Sequence, residues 1–295
     1  MPRLAVCRRL TAGLSVTALA LALAGCGDDG PEAPRSPATA DSSGVAQPSG
    51  SASAPAGPPV SVFYVGDTPQ GPRLFRDSVA ASDTDELRAA ADAVTDGTPS
   101  DPDYRTLWPG GTFAAVAADD RAITVELPDD SWLEPGALNP KQAALAVQQL
   151  VHTLHGVVGK ALPVQVELGG NPATRLLGVD IAAGLEAAPE LDVLGLVNVT
   201  APVEGGGVSK TFTATGWASS FEGTVPWAIE DEAGTEVLQG FSTTEGWMDR
   251  LYPWRAEVDV SSLTPGTYTF VARTDDPSGG EGGGPTEDTK RITIE

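Results

Sequence analysis

Apolar residues in this chain fall into short, separated runs, and their spacing changes character near residue 190. Between Val60 and about Gly184 two periods alternate. Val60-Ser-Val-Phe-Tyr-Val65 is a nearly continuous apolar run of strand length, and Arg73 to Val79 reads as a second, shorter strand. Asp83-Thr-Asp-Glu86 opens a helix with its acids at the positive end, and Leu87, Ala90, Ala91 and Val94 lie along one face. Phe113 to Val116 and Ala122 to Leu127 flank Asp119-Asp120-Arg121 as a hairpin. Asn139-Pro140 pairs an N-cap with a proline at the first helical position. Leu145, Val147, Leu150, Val151 and Leu154 then form an apolar stripe, and Gly156 is the expected stop. Val164 to Leu168 returns as a strand. The pattern predicts an α+β unit in which two helices cover one face of a small sheet.

From about Leu191 the helical period disappears. Strand-like runs recur at Leu194–Val199, Lys210–Trp217, Val225–Glu230, Glu236–Phe241, Trp254–Val260, Gly266–Arg273 and Thr289–Ile294. Short strands separated by turn signals predict an all-β sandwich. Leu263-Thr-Pro-Gly-Thr-Tyr268 places a tyrosine just after a turn at the start of a late strand, the arrangement of a tyrosine corner. Gly205-Gly-Gly207 reads as a link between strands, and Gly279 to Gly284 as a long hairpin loop.

The first 59 residues belong to neither pattern. Arg3, Arg8 and Arg9 precede an apolar run from Leu10 to Ala24, the order of a secretory signal. Fifteen helical residues reach roughly 22 Å, short of a hydrocarbon core of about 30 Å, so a permanent span is the weaker reading. Leu23-Ala-Gly-Cys26 resembles the lipobox of bacterial lipoproteins. That resemblance implies cleavage after residue 25 and a diacylated Cys26 as the mature N-terminus. Two acyl chains anchor stably where one is marginal. Ordinary secretion with an incidental cysteine is the alternative, and Arg8-Arg9 is compatible with twin-arginine export. Residues 26–59 are mostly Pro, Ala, Ser, Gly and Asp, which cannot bury enough apolar surface to offset chain entropy. They read as a disordered tether with a root-mean-square span of about 30 Å. The expected organisation is therefore signal 1–25, tether 26–59, α+β unit 60–184 and sandwich 191–295.

Only Cys7 and Cys26 occur, and one would leave with the signal while the other carried lipid. No disulfide, thiolate metal site or cysteine nucleophile is then expected in the folded part. The formal charge of −22 would become −25 on losing the three signal arginines. Residues 60–191 hold 19 acids and 8 bases, and residues 192–295 hold 17 and 6, so the acidity is spread over both units. Such a field repels nucleic acid and anionic lipid.

The first unit is similar to the GerMN domain of sporulation and germination proteins and envelope lipoproteins. The residues are Val60-Ser-Val-Phe-Tyr-Val65, Leu74-Phe-Arg76, Leu87 to Asp101, Trp108-Pro-Gly-Gly-Thr112, Ile123-Thr-Val-Glu-Leu127 and Gln149-Leu-Val-His-Thr-Leu154. Asp96-Gly-Thr-Pro99 stands where that family has a Gly-Pro pair. The second unit resembles the immunoglobulin-like Gmad domain of spore germination. Its cues are Pro202-Val203, Thr215-Gly-Trp-Ala218, Phe221-Glu-Gly-Thr-Val225 and Ile229-Glu-Asp-Glu-Ala-Gly234. The resemblance implies assembly or adaptor modules, with possible self-association through the first unit, and supplies no catalytic residue.

Candidate chemistry is sparse. His152 and His155 lie three apart on the second predicted helix, close enough for a metal pair, but no His-Glu-x-x-His pattern accompanies them. A buried or helix-terminal pair is the expectation, with no metal or cofactor. Gly-x-Ser-x-Gly, Ser-x-x-Lys and phosphate-loop motifs do not occur. Asp231-Glu232 and Asp275-Asp276 lack regular calcium-loop spacing. Four of the six tryptophans, Trp217, Trp227, Trp247 and Trp254, fall in the sandwich. Trp247, within polar Thr244-Glu-Gly-Trp-Met-Asp249, together with Phe221 and Trp227 forms the expected binding surface. The expectation is a non-enzymatic lipoprotein on the extracytoplasmic face of the cell membrane, binding an envelope protein or, alternatively, peptidoglycan or polysaccharide. An envelope hydrolase using paired acids is a third reading.

Overall fold

β1 (Pro59–Gly66) and β2 (Arg73–Ala80) open the fold as an antiparallel pair, with Phe63 opposite Arg76 and Tyr64 opposite Phe75. The computed structural model describes residues 59–80, 85–96, 98–281 and 283–295. The expected signal, Cys26 and all of the expected tether but Pro59 lie outside the described residues, as do Asp83 and Thr84 of the expected helix start. The continuous apolar run of β1 has a physical reason. Val60, Val62 and Tyr64 face the core of the first unit, while Phe63 and Val65 face a separate cluster with Leu74, Leu194 and Leu251. Both faces of this strand are buried, so alternation is lost.

Two helices pack on β1: α1 (Glu86–Asp96), which buries Ala90, Ala91 and Val94, and α2 (Pro140–Val158). Between them lie β3 (Ala115–Ala118) and β4 (Ile123–Glu126), joined by a turn in which Asp119 accepts from the Arg121 and Ala122 amides. Phe113 precedes this hairpin rather than lying in it, and is buried edge-on against Trp108 and Trp132. α2 carries the chain across so that β5 (Val164–Leu168) pairs parallel with β4. β6 (Asn171–Pro172) completes the order β3-β4-β5-β6. In place of a single small sheet, these strands form two separately hydrogen-bonded sheets, and a third, two-stranded one follows them in the chain.

α2 starts as its sequence requires. Asn139 accepts from the Lys141 and Gln142 amides while Gln142 Oε1 accepts from Asn139 N–H, a full capping box. It does not stop at Gly156, which stays helical beside Ser61 and Phe63. The stop is Gly159, whose φ of 69° lets its N–H reach His155 O. β7 (Arg175–Leu176) and β8 (Val179–Asp180) form a tight ribbon that buries Leu176 and Leu177, and a single turn, α3 (Glu190–Val193), leads onward.

The second unit is a sandwich of β9 (Val197–Ala201), β10 (Gly206–Val208), β11 (Thr211–Ala218), β12 (Thr224–Glu230), β13 (Glu236–Thr243), β14 (Tyr252–Asp259), β15 (Gly266–Arg273) and β16 (Glu287–Ile294). One sheet runs β10-β16-β15-β12-β13 and the other β14-β11-β9, with Trp227, Trp254, Phe270, Val225 and Ile292 among the residues between them. The tyrosine corner is present, since Tyr268 Oη donates to Thr264 O at 3.0 Å. Gly205-Gly-Gly207 is more than a link: Gly206 and Gly207 pair parallel with the last strand. Their missing side chains hid a strand that the register with β16 supplies. The first sandwich strand begins at Val197 rather than Leu194, which instead bridges to Leu74 of the first unit. Gly216 sits where β11 shifts register against β9, and a Cβ there would stand 1.8 Å from Asn198 O. Among the described residues no helix is long and apolar enough to cross a membrane.

Candidate functional site

β16 alternates inward and outward, and its inward positions are Asp288, Lys290, Ile292 and Ile294. The two isoleucines enter the sandwich core, but Asp288 and Lys290 lie beyond it, where the first unit covers them. They are 4 % and 3 % exposed, and Asp101 and Tyr104 of the first unit, 1 % and 7 % exposed, meet them. Lys290 Nζ lies 2.5 Å from Asp101 Oδ2, 2.8 Å from Tyr104 Oη and 3.2 Å from Asp288 Oδ1. Tyr104 Oη donates to Asp288 Oδ1 at 2.6 Å. Asp288 Oδ2 accepts from the Val199 amide at 2.6 Å and from Asn198 Nδ2 at 3.0 Å.

Each charge in this cluster is answered. Burial opposes the Lys290 ammonium, but Asp288 and Asp101 outweigh it and raise its pKa. Burial likewise pushes Asp288 upward, against the Lys290 charge and the hydrogen bonds that favour its ionised form. Tyr104 is held well above its usual range by burial and by the neighbouring Asp288, so its hydroxyl stays a donor. Around the cluster, Thr289 Oγ1 donates to Asp103 Oδ2, and Asn198 Nδ2 donates to Arg76 O. The seam has an apolar half as well, in which Phe63, Val65, Leu74, Leu194 and Leu251 are buried with Trp217 packed against them. The two units are therefore joined by an apolar cluster of their own and a buried ionic clasp.

Arg76 crosses this seam. Its guanidinium lies 5.3 Å from the Phe63 ring centroid and 5.1 Å from that of Trp217. Burial pulls its pKa down, and Glu190 opposes that shift. The His152 ring packs against the same Phe63 at a tilt of 54°, with centroids 5.6 Å apart. Burial, then His155 and Arg76, push His152 down to about 4, so it is neutral at physiological pH. His155 Nε2 lies 2.6 Å from Leu162 O at the helix end. The histidines are therefore occupied in packing and capping, and among the described residues no group of three or more His, Cys, Asp or Glu could hold a metal. Asp231 and Asp276 accept backbone amides of their own turns.

Of the three residues expected to form a surface, two come together. Phe221 meets Trp247 edge to face at 5.0 Å, because the Thr244 amide donates to Gly223 O and holds the two turns side by side. Phe221 is exposed and Trp247 half-buried. Trp227 does not join them. It points between the sheets, 9 % exposed, stacked on Phe270 with Gly240 making room beneath its ring. Its place on β12 between Val225 and Ile229, both fully buried, decides this: the period of two keeps all three on the inner face. Sequence reading did not find Phe241 and Met248, each 70 % exposed, of which Met248 directly follows Trp247 in the chain. The signal for Phe241 was present, since it lies one position out of step with buried Ser242 on edge strand β13.

No curated protein sequence matches the chain. Among solved structures, the tandem GerMN domains of the sporulation protein GerM from Bacillus subtilis match with a TM-score of 0.37 and 16 % identity. That match covers 69 % of this chain and 62 % of the other, so the chain spans less than two thirds of that structure's length. Residues 61–174 match the Germane family model, described as sporulation and spore germination. Residues 196–281 match the Gmad2 model, described as an immunoglobulin-like domain of bacterial spore germination. This chain thus carries a Germane domain followed by a Gmad2 immunoglobulin-like domain.

Proposed function

We propose that this protein is a non-enzymatic binding lipoprotein of the cell envelope, anchored on the extracytoplasmic face of the membrane through Cys26 and engaging a protein partner with its sandwich. The observation that carries this reading is the apolar corner of Phe221 and Trp247 with the adjoining exposed Met248, held on a body whose two units are locked by the buried clasp. Exposed aromatics backed by a rigid scaffold lose little freedom on binding. Glu222, Glu245 and Asp249 are exposed around them, so the chemistry suits an apolar segment flanked by basic residues. The tether read from sequence would let the anchored body search roughly 30 Å from the membrane.

The test is crosslinking in intact cells, with a photoreactive residue replacing Met248, combined with membrane fractionation. One partner should be captured, and Trp247→Ala with Phe221→Ala should reduce its yield. Cys26→Ser should move folded protein out of the membrane fraction. Crosslinks unaffected by the double substitution, or turnover of a cell-wall polymer by the purified protein, would remove this reading.

A further inference from the structure

A cavity of about 120 Å³ opens in the seam, lined among others by Phe63, Arg76, Glu190, Asn198, Trp217 and Leu251. Three of these residues carry unused polar capacity. Asn198 is 3 % exposed, and its orientation is fixed because Nδ2 donates to both Arg76 O and Asp288 Oδ2. Its Oδ1 is buried without a hydrogen-bond partner among the described residues. Such an orphan is rare in a folded protein and calls for a donor. Arg76 places its guanidinium over the rings of Phe63 and Trp217, yet its N–H groups make no hydrogen bond or ion pair among the described residues. Glu190 is exposed at the rim, where Oε2 accepts the Leu251 amide at 2.9 Å. It influences Arg76 electrostatically without reaching salt-bridge distance.

We infer that this cavity is a binding site for a small zwitterion, a free α-amino acid, whose carboxylate meets Arg76 and whose ammonium meets Asn198 Oδ1 and Glu190. The charge arrangement selects this class. A simple anion would satisfy Arg76 but face the Glu190 carboxylate and leave Asn198 Oδ1 unanswered. A simple cation would face Arg76. A zwitterion complements all three, and the guanidinium fork matches a carboxylate in two parallel hydrogen bonds. The apolar wall that includes Leu251 and Leu194 leaves room for a short aliphatic side chain, and the volume favours the smallest amino acids. Because both units supply lining, occupancy would tighten the seam. The site is independent of the apolar corner proposed above.

Titration of the full chain with L-alanine, followed by calorimetry and by tryptophan fluorescence, tests the assignment. N-acetyl-L-alanine and L-alaninamide are the controls, each lacking one charge. L-alanine should bind and both blocked forms should bind at least about tenfold more weakly, the loss of one charge-assisted contact. Glu190→Gln, which keeps an acceptor for Leu251 N–H on an exposed residue, should weaken L-alanine by a similar factor without changing thermal stability. Arg76→Gln should abolish binding. No binding at millimolar concentration, equal binding of either blocked form, or unchanged affinity in Glu190→Gln would each overturn the inference.

Discussion

Replacing Lys290 by methionine keeps most of its volume and removes only the charge and its hydrogen bonds. The substitution leaves Asp101 and Asp288, 1 % and 4 % exposed, in the same buried space without a cation. Removing one partner of a buried pair costs about 3–5 kcal/mol, because the remaining charge stays desolvated. The upper part of that range is expected here, since one ammonium answers two carboxylates. The loss should have a distinct pH signature. Without the Lys290 charge the folded-state pKa of Asp288, already raised by burial, rises further, and a raised carboxylate pKa costs the folded state stability that is regained as pH falls. The deficit relative to wild type should therefore shrink as pH falls from 7 toward 5. A second substitution, Asp101→Asn in the Lys290→Met background, should recover part of the loss at pH 7. Urea unfolding followed by tryptophan fluorescence is a suitable assay, because Trp108 and Trp132 report the first unit and Trp227 and Trp254 the sandwich. Opening the seam should also separate one transition into two. A loss below about 1 kcal/mol at pH 7, the range of exposed ion pairs, would refute the clasp.

Two further outcomes are expected. His152 is held near 4 against 6.5 for the free side chain, so the unfolded chain binds its proton first and stability falls as pH drops through that window. At 1.36 kcal/mol per pH unit the full effect is about 3 kcal/mol, of which about 2 kcal/mol should appear between pH 7 and 5. His152→Leu should flatten that slope in urea titrations, and an unchanged slope would assign it elsewhere. Trp227→Ala should cost about 3–5 kcal/mol as a core truncation, whereas Trp247→Ala should cost much less and affect binding instead. Comparable losses in thermal unfolding would contradict the separation of core from surface.

What was legible in the sequence was whatever a local rule could decide. The α2 start at Asn139-Pro140 needs only its own residues, and so does the turn at Asp119 that caps two amides. The sandwich followed from alternation, and the tyrosine corner from one turn and one tyrosine. The misreadings share a different cause. Gly156 and Gly159 are both permissive, and only the packing of Gly156 beside Ser61 and Phe63 shows that the helix continues past it. Gly206 and Gly207 have no side chains to register a period, so their strand exists through its partner β16. The seam lay furthest from local rules. Asp101, Tyr104, Asp288 and Lys290 are separated by up to 189 positions, and each alone reads as an ordinary surface residue. Yet one clue was present. In Asp288-Thr-Lys-Arg-Ile-Thr-Ile294 the two charges share the face of Ile292 and Ile294. A strand that turns its isoleucines inward must turn those charges inward too, and buried charges require partners. Inward charges at that end of β16 therefore require a covering element over the end of the sandwich. The same covering creates the inferred zwitterion site, since the cavity with Arg76 and Asn198 exists only where the first unit closes over the second.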